Sequence, residues 1–403
     1  MTQRTLPLLS VACLPVTGCI SDPPPMQADI PPQPPAYATE FETDPFEEGW
    51  FWDKATWENK RGEPGNAEWV ERRDGGPCLE VQDGMWRSPR ISLAPLTFVH
   101  VHIESKAASE GYWGLLSYDT EDVEIPASPY SQIPGSQSWI TNDAAVLIPE
   151  DSTYSRVLLW PRKDPIRADG VVVTPVSRAK ALEIGERTYS QIPPVDPSYE
   201  DSPRTGLSHT LEALRGGGEL TILLLGDSVS NDMANGNFQL LLERHFQGSR
   251  VTLLNKVGSG AGAKAFLEND RIGDMIAEHE PDLVMFGGIS NTVKDIPAIR
   301  RLAARVKEHG ETEFLVFSGT MLMPRYWENY QRSLASRTPY RDAIRQAAEE
   351  TGFGFCDLGG AWETYAQSCG KPVGFFRRDH HHANERGKQA YAHLLAAYLV
   401  QAK

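Results

Sequence analysis

Long hydrophobic runs are missing: nowhere in its 403 residues does the chain approach the roughly 18 unbroken apolar positions that a membrane-spanning helix requires. Positive charge is also in short supply, with 39 Lys and Arg against 54 Asp and Glu and a formal net charge of -15. Nucleic-acid binders carry a basic face, so nucleic acid is not expected as a partner and a neutral or cationic ligand fits better. Cysteine is scarce, at five residues. What is present, 40% hydrophobic and 23% charged residues, is an ordinary soluble composition and not a disordered one. The length exceeds one domain of roughly 100 to 200 residues, and two are expected.

Arg4 stands before a short apolar run, Leu6 to Val16, which ends in Val16-Thr17-Gly18-Cys19. This resembles the lipobox of bacterial lipoproteins, in which signal peptidase cuts before a cysteine that then carries lipid. Residues 1–18 then read as signal peptide, with Cys19 as the lipidation site. The proline-rich stretch that follows, 19–37, favours extended polyproline geometry and reads as a stalk. An exported protein, tied to the bacterial cell envelope through that lipid alone, is the expectation. With Cys13 removed and Cys19 lipidated, Cys78, Cys356 and Cys369 remain. Two outcomes stay open: a Cys356–Cys369 disulfide worth about 3 kcal/mol on a chain-entropy argument, or three buried thiols.

Residues 38–185 offer short alternating runs. Val99, Val101 and Ile103 face one way while Phe98, His100 and His102 face the other. Similar runs at Cys78 to Val81, Tyr112 to Tyr118, Arg156 to Trp160 and Gly170 to Val176, punctuated by turn residues, predict an antiparallel, jelly-roll-like β-sandwich. Of the ten tryptophans, only Trp327 and Trp362 lie beyond this part. Core packing is the expectation for any one of them, with one or two lining a sugar-binding face.

A proline-bearing linker at 186–203 separates this part from residues 204–403, where strands and helices alternate. Strands are expected at Leu220 to Leu225, Val251 to Leu254, Asp282 to Phe286, Phe314 to Phe317 and Phe353 to Asp357. Helices are expected at Asn237 to Phe246, Lys264 to His279, Ile296 to His309, Thr338 to Thr351 and Glu385 to Val400. The alternation predicts an α/β domain, a parallel sheet between helices, with ligands at the carboxyl ends of its strands.

Four polar clusters fall there. Gly226-Asp227-Ser228 follows the first strand, on a turn that presents a serine hydroxyl and its N–H to one point. Asn255 to Ala261 forms a glycine loop after the second strand, and Gly287-Gly288-Ile289-Ser290-Asn291 follows the third. Asp379-His380-His381-His382 precedes the last helix. In order and spacing these resemble the blocks of the SGNH, or GDSL-type, serine hydrolases, over roughly residues 206–403. The resemblance implies a flavodoxin-like fold, Ser228 as nucleophile, His382 as general base and Asp379 as the carboxylate orienting it. It also implies an oxyanion hole from the N–H groups of Ser228 and Gly260 and the amide of Asn291. Two departures stand out: Ile289 and Thr292 flank the third block where Gly-x-Asn-Asp is usual, and Ala383 replaces a common proline.

A serine hydroxyl needs a neutral imidazole to take its proton, and the imidazole needs a carboxylate to hold its tautomer. The histidine triplet invites a metal reading, but adjacent loop residues point different ways; no metal and no cofactor are expected. His380 and His381 read as solvated or cleft-shaping. Arg325, Tyr326 and Trp327, in a loop after a strand, are candidate substrate contacts. The expected activity is removal of O-acyl, chiefly O-acetyl, groups from a carbohydrate. A lipase, thioesterase or acyltransferase with the same triad is the alternative, as is an inactive carbohydrate-binding lipoprotein. Since every candidate catalytic group lies beyond residue 220, a fragment from Pro203 is expected to keep turnover of a small ester, unless the sandwich covers a buried face.

Overall fold

A computed structural model describes residues 33–52, 67–71, 76–199, 202–320 and 330–401. The signal segment, Cys19, Trp57, Arg325, Tyr326 and Trp327 lie outside them. No helix among the described residues is long and apolar enough to cross a membrane.

The first part is built of β1 (Tyr37–Thr39), β2 (Phe51–Trp52), β3 (Ala67–Glu71), β4 (Pro77–Val81), β5 (Trp86–Arg87) and β6 (Phe98–Ala107). It continues with β7 (Gly111–Tyr118), β8 (Tyr130–Ile133), β9 (Ser136–Leu147), β10 (Tyr154–Pro161) and β11 (Ile166–Val176). They form two antiparallel sheets, ordered β3-β4-β11-β6-β9, with β1 on β11, and β2-β5-β10-β7-β8. This is the expected sandwich. Val99, Val101 and Ile103 enter the core between the sheets, meeting Trp113, Leu115, Val157 and Leu159 from the other side. Trp50, Trp86 and Trp113 belong to that core, whereas Trp69 is exposed.

Helix α1 (Arg178–Tyr189) runs straight through the expected start of the linker at 186 and packs on β9 and on the last helix of the chain. The rest of that segment is fastened down, with the buried Tyr199 hydroxyl donating to the Leu394 carbonyl at 2.8 Å. Its four prolines mark a chain without regular structure, not a free one.

Next come α2 (Ser208–Arg215), β12 (Glu219–Gly226), α3 (Ser228–Ala234), α4 (Phe238–His245), β13 (Arg250–Asn255), α5 (Ala263–Leu267) and α6 (Arg271–His279). The chain closes with β14 (Leu283–Gly287), α7 (Ile296–Lys307), β15 (Glu313–Phe317), α8 (Tyr330–Thr351), β16 (Gly354–Cys356), α9 (Leu358–Ser368) and α10 (Glu385–Val400). The five strands pair in parallel in the order β13-β12-β14-β15-β16, the flavodoxin-like arrangement. Both faces are covered: Ile222 and Leu224 pack with α4 and α10, Leu223 and Leu225 with α6 and α7. The helix expected over Lys264 to His279 is two helices, broken where Asn269 and Asp270 take positive φ of 52° and 56°. Cys78, Cys356 and Cys369 form no disulfide: Cys356 is buried in β16, and the Cys369 Sγ sits 3.3 Å from the Ala366 carbonyl.

Candidate active site

β12 delivers the Gly226-Asp227-Ser228 turn at its carboxyl end. Gly226 has φ of +140°, and a Cβ there would stand 2.4 Å from the Gly287 carbonyl, so only glycine lets β12 leave the sheet beside β14. Asp227 caps α3 by accepting from Val229 N at 2.9 Å. Its other oxygen accepts from Ile289 N, Ser290 N and Ser290 Oγ, each at 2.7 Å. The carboxylate therefore clamps the third block to the first. Ser228 opens α3, where a backbone N–H has no partner within the helix.

His382 Nε2 lies 2.8 Å from Ser228 Oγ, and His382 Nδ1 lies 2.9 and 2.8 Å from the two oxygens of Asp379. Asp379 also accepts the backbone N–H groups of His381 and His382, at 3.0 Å each. Burial pushes its carboxyl up, but the His382 hydrogen bond and charge, Arg378 and the His381 N–H outweigh it and hold it well below the usual aspartate range. Arg378 N donates to the His382 carbonyl at 2.9 Å and Asn384 N to the Phe376 carbonyl at 3.0 Å, closing the loop. Asn384 then caps α10, accepting from Gly387 N at 3.2 Å.

Asn291 is buried. Its Oδ1 accepts from Ala263 N at 3.0 Å, which leaves the Nδ2 amide without a partner. Gly260 sits at φ +64° with open space around it, in a loop held by Gly258 N on the Gly226 carbonyl at 2.9 Å. The departures from the usual pattern have local explanations. Gly288, at φ +106°, and the two N–H groups on Asp227 absorb the altered third block and fasten residues 289 and 290, just before Asn291, to the first block. Ala383 uses an N–H that proline lacks, donating to Asp232 Oδ2 at 2.7 Å.

His380 is exposed, and His381 is half-buried with its pKa lowered by burial and by His382. Ligand atoms of Asp379, His381 and His382 come within 4.8 Å of one another. Both His382 nitrogens already serve Asp379 and Ser228, so an ion there would have to break that chain.

Contacts that the sequence did not reveal hold the site from the sandwich side. Arg378 Nη1 donates to the Tyr130 carbonyl at 2.5 Å and lies 3.4 Å from Asp232, while Tyr112 Oη donates to the Arg378 carbonyl at 3.2 Å. Lys388, 1% exposed, gives its ammonium to the Tyr130 carbonyl, Ser131 Oγ and Glu385 at 2.6, 3.1 and 2.6 Å. Lys256, in the glycine loop, pairs with Asp151 at 2.8 Å and Glu150 at 3.0 Å. Asn255 donates to Asn231 at 2.8 Å, and Asn231 to the Ser128 carbonyl at 2.9 Å.

The flavodoxin-like sheet thus carries a serine, a histidine and an aspartate in hydrogen-bonded sequence, the arrangement that the resemblance to SGNH-type hydrolases implied, and it follows a β-sandwich. No protein-family model and no curated protein matches the sequence. Among solved structures, the chain is similar to a two-domain esterase active on acetylated mannans, at 14% identity and TM-score 0.42, over 52% of this chain and 58% of that one. It is also similar to a GDSL-like lipase from Parabacteroides merdae, at 17% identity and TM-score 0.35, over 45% of this chain and 96% of that one. A xylan-binding domain from Paenibacillus barcinonensis matches at 10% identity and TM-score 0.27, over 36% of this chain and 97% of that one. The chain thus spans little more than half the length of the two-domain esterase.

Proposed function

We propose that the protein is an exported serine esterase that removes O-acyl groups, O-acetyl above all, from a carbohydrate. The observation that carries this reading is the Ser228–His382–Asp379 chain at 2.8 to 2.9 Å, beside the buried and unpartnered amide of Asn291. His382 Nε2 takes the hydroxyl proton as Ser228 Oγ attacks the ester carbonyl, and Asp379 stabilises the imidazolium that forms. The negative oxygen meets the N–H groups of Ser228 and Gly260 and the Asn291 amide. Collapse expels the sugar alcohol with the proton from Nε2, leaving acyl-Ser228, and water activated by the same imidazole releases the acid.

The carbohydrate part of the reading is supported by what stands beside the catalytic loop. Tyr112 and Trp160 meet edge to face at 5.2 Å, with the Arg162 guanidinium 5.3 and 5.1 Å from their centroids, and the Tyr112 hydroxyl bonds the loop at Arg378. Flat rings stack on sugar faces; Tyr112 is buried, so half-buried Trp160 is the ring of the pair that a sugar face would meet. Export and a lipid on Cys19 rest on the Val16-Thr17-Gly18-Cys19 run and the proline-rich stretch after it.

A fluorophosphonate probe should label Ser228, and Ser228→Ala should lose labelling and turnover while keeping its unfolding midpoint. Acetate release from acetylated polysaccharides, set against aryl esters of graded chain length, should favour the acetyl group. Turnover surviving in Ser228→Ala removes the mechanism; preference for long acyl chains without release from polysaccharide replaces the substrate.

A further inference from the structure

On the outer face of the first sandwich sheet lies a cluster that ester hydrolysis leaves unused. His100 and His102 alternate with the core residues of β6, so both rings leave the sheet on the same side, and Asp143 on β9 stands directly opposite His102 in the ladder. His100 Nε2 lies 2.7 Å, and His102 Nδ1 2.9 Å, from one and the same atom, Asp143 Oδ1. The three side chains are partly buried, 24%, 32% and 24% exposed. Two ring nitrogens and a carboxylate thus converge from adjacent strands whose pairing fixes their spacing. Arg187 of α1 approaches the other oxygen of Asp143 to 3.8 Å and orients the carboxylate from outside.

We propose that His100, His102 and Asp143 form a binding site for a divalent transition-metal ion, zinc foremost, independent of the esterase site. Two imidazoles and one carboxylate suit zinc, whereas calcium and magnesium take oxygen ligands. With bonds of about 2.0 to 2.2 Å, tetrahedral donors stand about 3.3 Å apart, so each nitrogen–oxygen distance opens by roughly half an ångström, a matter of small side-chain rotations. A ring nitrogen that carries a proton toward Asp143 gives it up, to its own second nitrogen or to solvent, as the ion enters. The partial exposure of all three side chains leaves a path from solvent for the ion and for a fourth, non-protein ligand. The bound ion staples β6 to β9 beside α1.

The test is made on the full chain stripped with a chelator, titrated with zinc chloride by calorimetry and with cobalt(II) by visible absorption. The expected result is one equivalent of zinc and a cobalt spectrum without a thiolate band. His100→Gln and His102→Gln should each weaken uptake by about tenfold or more, and His381→Gln should leave it unchanged. The first two are independent variants, so misfolding of one leaves the other decisive. Less than one equivalent in the wild type, uptake that survives both substitutions, or uptake that vanishes with His381→Gln overturns the proposal.

Discussion

Asn291 divides its amide between two tasks, spending Oδ1 on Ala263 N and leaving Nδ2 buried and unpaired. An unpaired buried donor costs about 1 to 3 kcal/mol, a cost that the proposed reaction would return when an oxyanion accepts from it. Asn291→Ala is therefore expected to lower kcat on an aryl ester by about 100- to 1000-fold with KM little changed. A change confined to KM would place the amide in ground-state binding. Asp379 bears on stability as well. Its folded-state pKa is depressed, chiefly against burial and through His382, so it contributes stability above its unfolded value near about 3.9 and loses it as pH falls through the folded value. Urea midpoints from about pH 6 down to about pH 3 should fall less steeply in Asp379→Asn than in the wild type.

Helix α2 is held by a residue from another element. Glu313, buried at the start of β15, accepts from His209 N and Thr210 N at 2.9 Å each, satisfying N–H groups that the helix start leaves open. Glu313→Ala should cost about 1 to 3 kcal/mol in urea unfolding without altering the active-site geometry. The elements legible in the sequence were those with a pattern of their own. β12, β14 and β15 are apolar on both faces, and α10 begins and ends where its periodicity does. α3, six of whose seven residues are buried, shows no amphipathic face, and α9 opens with Gly359 and Gly360, so neither could be read. The same distinction holds at the site. Ser228, Asp379, His382 and Asn291 stood in recognisable blocks. The clamping contacts were not legible, even for Asp227 inside the first block, because Asp227 finds its partners 62 and 63 residues away and Asp232 finds its own at 151.

Across the whole molecule, the expectation that a fragment from Pro203 would keep turnover carried a condition, and the condition fails. The sandwich covers a buried face: Phe98, Ile125, Ala127 and Ala145 belong to the same core as Leu240, Tyr391 and Leu395. Without it, Lys388 loses two of its three acceptors, Arg378 loses the Tyr130 carbonyl, and Lys256 loses both carboxylates. A chain beginning at Pro203 is therefore expected to lose most turnover on a small aryl ester as well as on polymer, measured by kinetics on both. Equal kcat for fragment and full chain on the small ester would show that the catalytic loop holds its shape alone. The buried ammonium of Lys388 also bears on how such proteins can change over generations. Modules that recombine freely meet through surfaces either can do without. Here an exchange of the first half for an unrelated sandwich would leave that ammonium to Glu385 alone, two hydrogen bonds short in the interior, so the two halves are expected to be inherited as one unit or altered together.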